Sequence, residues 1–259
     1  MLIRANTRQL RLLSTAPPQA VYRREVFVPL APRLPVAPFD AVCFDLDGTL
    51  CQHTQDTHAM YEQAFEQAGE PLVGEPAALW DALSDPPDHD DPVGYFAAGI
   101  ARVAAQHGRP DIDTLAVARA LRSVIDDRAV SLLPGATDAL SAASATGPIG
   151  VVTNGPKARQ RTKLEALGII DRFETAVYAA ELARSKPYTE PFEQAVADLD
   201  VAAERTLYVG NSLGYDVAGA QNAGLPVAWL CGDDERGDYD PEYVIDSLGE
   251  LPAILRGES

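Results

Sequence analysis

Phe44-Asp45-Leu46-Asp47-Gly48-Thr49-Leu50 follows directly on the apolar run Ala41-Val42-Cys43-Phe44. The run reads as a short buried strand, and the two carboxylates fall at its C-terminal end. Such strand ends are where open α/β sheets hold their ligands. Gly48 lets the backbone turn sharply right after the pair. Two acids this close on a buried strand end repel one another unless a cation or a proton offsets them. The stretch therefore points to a divalent metal. A calcium loop is excluded, because Gly48 stands fourth rather than sixth in it and a strand, not a helix, precedes it.

Working outward, the chain alternates strand and helix. Apolar runs at Pro148–Val152, Thr175–Ala179, Thr206–Val209 and Pro226–Leu230 read as further buried strands. Helical stretches are expected at Gly135–Ala145, Pro156–Leu167, Glu190–Leu199 and Tyr215–Ala223, with Gly168 and Gly224 as stops. This alternation predicts an α/β fold, a Rossmann-like parallel sheet with helices on both faces. One interval breaks the pattern. Residues 51–132 contain no good strand candidate and read as four helices, Thr57–Ala68, Pro76–Leu83, Pro92–His107 and Thr114–Asp127, with a proline- and acid-rich loop at Ser84–Asp91. The expected division is a core of residues 40–50 and 133–259, with a helical cap subdomain of residues 51–132 inserted after the first strand.

Residues 1–39 differ in composition. They hold six arginines and one acid, Glu25, against a net charge of −17 for the whole chain. A basic, acid-poor start of this kind reads as a transit peptide or as a poorly ordered extension; the second is favoured, with one possible edge strand at Glu25–Leu30. The acid excess of the rest excludes sequence-independent binding to nucleic acid. No uncharged apolar run of 18 residues exists, so no membrane span is expected. Cys43, Cys51 and Cys231 show neither metal spacing nor a paired framework, which fits free thiols in a reducing cytoplasm. Only Lys157, Lys163 and Lys186 are lysines. Acid excess with scarce lysine suggests adaptation to high salt, which screens self-repulsion.

Four stretches in order resemble the haloacid dehalogenase-like hydrolase superfamily over residues 40 to about 250. They are Asp45-Leu46-Asp47-Gly48-Thr49; Thr153-Asn154-Gly155; Lys186-Pro187 with Pro191-Phe192; and Gly210-Asn211-Ser212-Leu213-Gly214-Tyr215-Asp216 running into Ala218-Gly219-Ala220. The resemblance implies a phosphatase that hydrolyses a small soluble phosphate ester. Asp45 would attack phosphorus and become an aspartyl phosphate. Asp47 would give a proton to the leaving oxygen and later take one from water. Thr153 and the backbone N–H groups of Asn154 and Gly155 would hold phosphoryl oxygens, at the start of a helix that itself favours an anion. Lys186 would neutralise both the nucleophile and the transferring group. Mg²⁺ would be held by the Asp45 carboxylate, the Asp47 carbonyl, Asn211 and Asp216. Asn211 departs from the family pattern, which has Asp there, and removes one negative charge.

Within the family, rival readings separate on particular residues. A 2-haloacid dehalogenase needs no metal and lacks the acid found here as Asp47. A phosphonate hydrolase needs a cap lysine, and residues 51–132 contain none. A sugar-phosphate mutase or phosphotransferase shares every catalytic residue, and a non-catalytic binding protein shares the fold. For substrate contact, Gln52, His53, His58 and Arg102 are the candidates from the expected cap, with a surface role the plainer reading of the histidines and of Arg102.

Overall fold

The computed structural model describes residues 39–83, 91–232 and 236–258. The extension before residue 39, the edge strand expected in it and all but Asp91 of the expected loop at 84–91 lie outside the described residues.

The chain opens with β1 (Ala41–Phe44), then β2 (Cys51–His53) and four helices, α1 (Thr57–Ala68), α2 (Pro76–Ala82), α3 (Pro92–Gln106) and α4 (Thr114–Val124). β3 (Val130–Leu132) leads into α5 (Ala136–Thr146), β4 (Ile149–Thr153), α6 (Lys157–Ala166), β5 (Thr175–Tyr178) and α7 (Glu190–Leu199). β6 (Thr206–Gly210), α8 (Ala218–Asn222), β7 (Val227–Leu230), β8 (Tyr243–Ile245) and α9 (Leu251–Leu255) complete it.

Six strands form one parallel sheet in the order β5-β4-β1-β6-β7-β8. The first strand in the chain is thus central, and the winding reverses on either side of it. Phe44 is in register with Val151 on β4 and with Val209 on β6. The residues that follow those three positions therefore leave the sheet side by side, where a doubly wound sheet opens its ligand crevice.

Both faces are covered, and the strand period sorts the side chains between them. Val42 and Phe44 pack with Val151, Leu140, Leu164 and Leu251, under α5, α6 and α9. Ala41 and Cys43 point the other way, into a cluster with Tyr208, Phe192, Ala195 and Leu199, under α7. Helices α1 to α4 have a core of their own, built on Phe65, Leu79, Ile100, Val103, Val117 and Leu121. Three of them start on an aspartate: Asp56, Asp91 and Asp113 each accept a hydrogen bond from a backbone N–H three residues on. No helix among the described residues is long and apolar enough to cross a membrane.

The expectation of no strand within 51–132 is wrong. β2 and β3 pair antiparallel, Cys51 with Leu132 and His53 with Val130. Thr54 N–H to Ala129 O at 2.8 Å and Leu133 N–H to Leu50 O at 2.9 Å extend the ladder at both ends. The helical insertion hangs on this two-stranded stem. Each strand has only three residues and its partner lies far along the chain, so no local period announces it. Strand β8 and helix α9 were not expected either. The helix expected from Tyr215 to Ala223 begins instead as a π-helical turn, Leu213–Val217, and only then becomes α8.

Candidate active site

Asp45 leaves the end of β1 with 7% of its surface exposed. One carboxylate oxygen accepts from Lys186 Nζ at 2.8 Å. The other accepts from the Thr49 hydroxyl at 3.2 Å. Burial raises the Asp45 carboxyl; Lys186 opposes that, while Asp216 and Asp47 add to it, and the result is a value of about 7 against an ordinary 3.8.

Lys186 comes from the segment before α7, with a cis peptide bond to Pro187. Its ammonium also meets Asp216 Oδ1 at 2.7 Å, Val152 O at 3.0 Å and the Tyr208 hydroxyl at 3.1 Å. Burial alone would lower its pKa, but Asp216 and Asp45 outweigh that and hold it above the ordinary lysine value. Asp216 accepts further from the Tyr208 hydroxyl at 3.0 Å and, through its second oxygen, from Ser212 N–H at 2.9 Å. The π-helical turn that carries Asp216 widens the coil there, a distortion common at functional sites.

Asp47 stands at the rim, its side chain 43% exposed. Lys163 Nζ reaches one of its oxygens at 2.7 Å and Gln160 Nε2 the other at 2.7 Å. Burial pushes the Asp47 carboxyl up, but Lys163 and Gln160 together hold it below its ordinary value. Both partners sit on α6, three residues apart and thus on one face. Gln160 also donates to the Thr153 hydroxyl at 2.6 Å, and Gly155 N–H donates to the same oxygen at 3.3 Å. Asn154 turns its side chain to the backbone of Lys186, donating to its carbonyl at 3.1 Å and accepting from its N–H at 2.9 Å. It thereby ties the ends of β4 and of the Lys186 segment together.

Asn211 Oδ1 lies 3.1 Å from the Thr49 hydroxyl. That hydroxyl has one proton for two acceptors, Asp45 and Asn211. Gly48, at φ 80°, makes the approach possible, since a Cβ there would stand 2.8 Å from Asn211 Nδ2. The donor set suits a hard cation: Asp45, Asp47, Asn211 and Asp216 offer oxygen ligands, and the Asp45 carboxyl, raised chiefly by burial, is raised further by Asp216 and Asp47 beside it. Asp45, Asp47, Asp216, Lys163 and Lys186 leave one net negative charge, which a divalent ion would turn positive and so match to an anionic ester.

The residues expected from sequence as catalytic, phosphate-binding or metal-binding all line one cavity of about 790 Å³. Its far wall is the helical insertion, with Trp80, Tyr95, Phe96 and Arg122, while Arg159 comes from α6. The expected contacts from that side are not the ones found, since none of Gln52, His53, His58 and Arg102 lines this cavity. His58 pairs with Glu75 in solvent. Arg102 donates to Ala82 O at 2.6 Å and closes the end of α2. His53 lines a neighbouring hollow on the other side of Arg159. Sequence also gave no sign of Tyr208, Gln160 and Lys163. A tyrosine in a strand reads as core, and the polar run of α6 reads as a solvated face.

A family model for haloacid dehalogenase-like hydrolases matches residues 39–224. The chain belongs to that family. Its fold is the family's α/β fold with a helical cap, and it is a hydrolase. Among haloacid dehalogenase-like relatives, the pyrimidine 5'-nucleotidase YjjG of Escherichia coli K12 is 29% identical over 231 residues, which cover 84% of this chain and 98% of that protein. The phosphoglycolate phosphatase of Nitrosococcus oceani is 29% identical over 234 residues, 83% of this chain and 96% of that one. Among solved structures, the Bacillus subtilis HAD-hydrolase YfnB bound to magnesium superimposes with a TM-score of 0.67 at 25% identity, covering 85% of this chain and 100% of that one.

Proposed function

We propose that this haloacid dehalogenase-like hydrolase is a Mg²⁺-dependent phosphatase, acting on a small phosphate monoester through an aspartyl phosphate on Asp45. The observation that carries the reading is Lys186, a buried ammonium set between Asp45 at 2.8 Å and Asp216 at 2.7 Å. The ammonium draws the Asp45 carboxyl down from where burial alone would put it, so that the nucleophile can ionise near neutral pH.

Asp45, the Asp47 carbonyl, Asn211 and Asp216 would hold the ion. Bound there, Mg²⁺ would shield the nucleophile from the anionic phosphoryl group and steady its oxygens. The chain's own residues do the rest. An Asp45 oxygen attacks phosphorus, and the bond from phosphorus to the leaving oxygen breaks. Asp47 supplies the proton that the leaving alkoxide takes up. A water then attacks the aspartyl phosphate, Asp47 receives its proton, and the phosphorus bond to Asp45 breaks to release inorganic phosphate. Lys163 and Gln160 orient Asp47 and suit it to the second step, in which it must start ionised. In the first step the arriving phosphate dianion competes for Lys163 and raises the proton affinity of Asp47. Thr153, whose oxygen already accepts from Gln160 and Gly155, turns its own proton toward the phosphoryl oxygens. Helices α1 to α4 act as the cap over this site, residues 51–132 against a core of 40–50 and 133–259, and exclude bulk water. The acid excess and scarce lysine fit an enzyme working in the cytoplasm of a salt-accumulating cell.

The test is hydrolysis of an aryl phosphate with Mg²⁺. Asp45→Asn and chelation should each lower the rate by at least about 10³-fold, and Asp47→Asn should accumulate a hydroxylamine-sensitive phosphoenzyme. Full activity of Asp45→Asn would end this reading.

A further inference from the structure

Arg122 has no partner that its position demands. It is half-buried on α4 and lines the same cavity as Asp45. No hydrogen bond or ion pair to its side chain is found among the described residues. The carboxylate nearest to it in effect, Asp127, already serves Arg159, which donates to it through Nε at 3.0 Å and Nη2 at 2.8 Å. Desolvation and the like charge of Arg159 both press down the pKa of Arg122, and Asp127 only partly offsets them. Two guanidiniums thus share one carboxylate in a chain whose net charge is −17. Elsewhere the cationic groups of the cavity are matched: Lys186 with Asp45 and Asp216, Lys163 with Asp47, Arg159 with Asp127. A desolvated, unmatched guanidinium facing a ligand cavity is an anion receptor, because its planar fork fits carboxylate and phosphate oxygens.

We infer that Arg122 is a specificity-determining residue that binds a second anionic group on the leaving-group side of the substrate, a carboxylate or a further phosphate. The inference rests on the phosphatase reading above, since it takes the phosphoryl group to sit at Asp45. The cavity has room for both groups, and its aromatic residues Trp80, Tyr95 and Phe96 border the same wall. Arg159 already occupies Asp127, so the two arginines and that carboxylate leave one net positive charge at this wall for the anion.

Three esters built on one two-carbon chain separate the possibilities: 2-phosphoglycolate, ethane-1,2-diol bisphosphate and the uncharged-tail 2-hydroxyethyl phosphate. The expected result is a preference of the native enzyme for an acid-bearing ester, with the better of the two naming carboxylate or phosphate. In Arg122→Met the ratio of kcat/KM for that ester to kcat/KM for 2-hydroxyethyl phosphate should fall about 10- to 100-fold, mostly through KM. Equal losses on all three esters would show a structural role and overturn the inference. So would an unchanged ratio, or a native preference for uridine monophosphate that survives the substitution, which would assign the wall to a stacked base. Equilibrium binding to Asp45→Asn keeps the two proposals apart. Absence of turnover on every ester ends the phosphatase reading, whereas tighter binding of the acid-bearing ester that disappears with Arg122→Met still supports the receptor, and equal binding of all three removes it.

Discussion

At the scale of single residues, Lys186 carries the most. It is 4% exposed, and its ammonium is the only cation in contact with Asp45 and Asp216 among the described residues. Removing it leaves two buried carboxylates without a counter-charge. Lys186→Met should therefore cost about 3–5 kcal/mol at pH 8, besides abolishing activity. The sign of its pH dependence follows from the same contacts. Lys186 now pulls the Asp45 carboxyl down against burial and Asp216, so without it the folded-state value rises further. A carboxyl raised on folding binds more protons folded than unfolded, so stability grows as pH falls through the folded value. The gap in melting temperature between native protein and Lys186→Met, measured with chelator present, should thus be wider at pH 9 than at pH 7 and change little from pH 7 to pH 5, where Asp45 takes up its proton in both proteins. A gap independent of pH would mean the loss is one of packing alone. This residue was legible in the sequence, as were Asp45, Asp47, Thr153 and Asp216, because each follows a strand end or a short motif. Tyr208 was not. It lies within β6, where an aromatic needs no explanation beyond packing, and only the alternation of that strand aims its hydroxyl at Lys186 and Asp216.

At the scale of elements, the sheet strands and the four cap helices could be read because each carries a period long enough to see. The stem β2–β3 could not, since its information lies in the pairing of two three-residue segments across the insertion. Helix α6 shows a different kind of blindness. Its charged sequence, Lys157-Ala158-Arg159-Gln160-Arg161-Thr162-Lys163, looks solvated throughout. In the fold one face turns inward and buries Gln160 and Lys163 to 2% and 3% exposure against Asp47 and Thr153. The i, i+3 spacing makes the helix a two-pronged clamp on the Asp47 carboxylate. Lys163→Met should leave Asp47 mobile and raise its proton affinity. We expect kcat to fall by about 10²-fold with KM changed far less, since the clamp positions a proton-transfer group rather than the ester. The acidic limb of the pH–rate profile should move upward, because the group that must be ionised for water attack now titrates at higher pH. A loss confined to KM would instead place Lys163 on the substrate.

At the scale of the whole molecule, two electrostatic effects compete as salt rises. The described surface holds close ion pairs, such as Arg205 with Asp40, Arg109 with Asp111, Arg161 with Glu165 and Arg256 with Glu258. Salt weakens each of them, yet exposed pairs contribute only about 0–1 kcal/mol apiece. Against them stands the repulsion of 38 acids facing 21 basic residues. Distance decides which prevails. The screening length is roughly 10 Å at 0.1 M salt and roughly 3 Å at 1 M. The paired groups are in contact, at 3.0 Å for Arg109 with Asp111 and 2.8 Å for Arg161 with Glu165, so they keep much of their attraction even at 1 M. Repulsions between unpaired carboxylates act over longer spans and are almost wholly screened. The balance favours the folded state as salt rises. Raising KCl from 0.1 to 2 M should therefore raise the melting temperature and sustain phosphatase activity. The same series in sodium and potassium chloride should agree, because screening depends on ionic strength and not on the cation. A melting temperature that falls steadily with KCl would show that the contact pairs prevail, and the acid excess would then be a feature of composition with no part in stability.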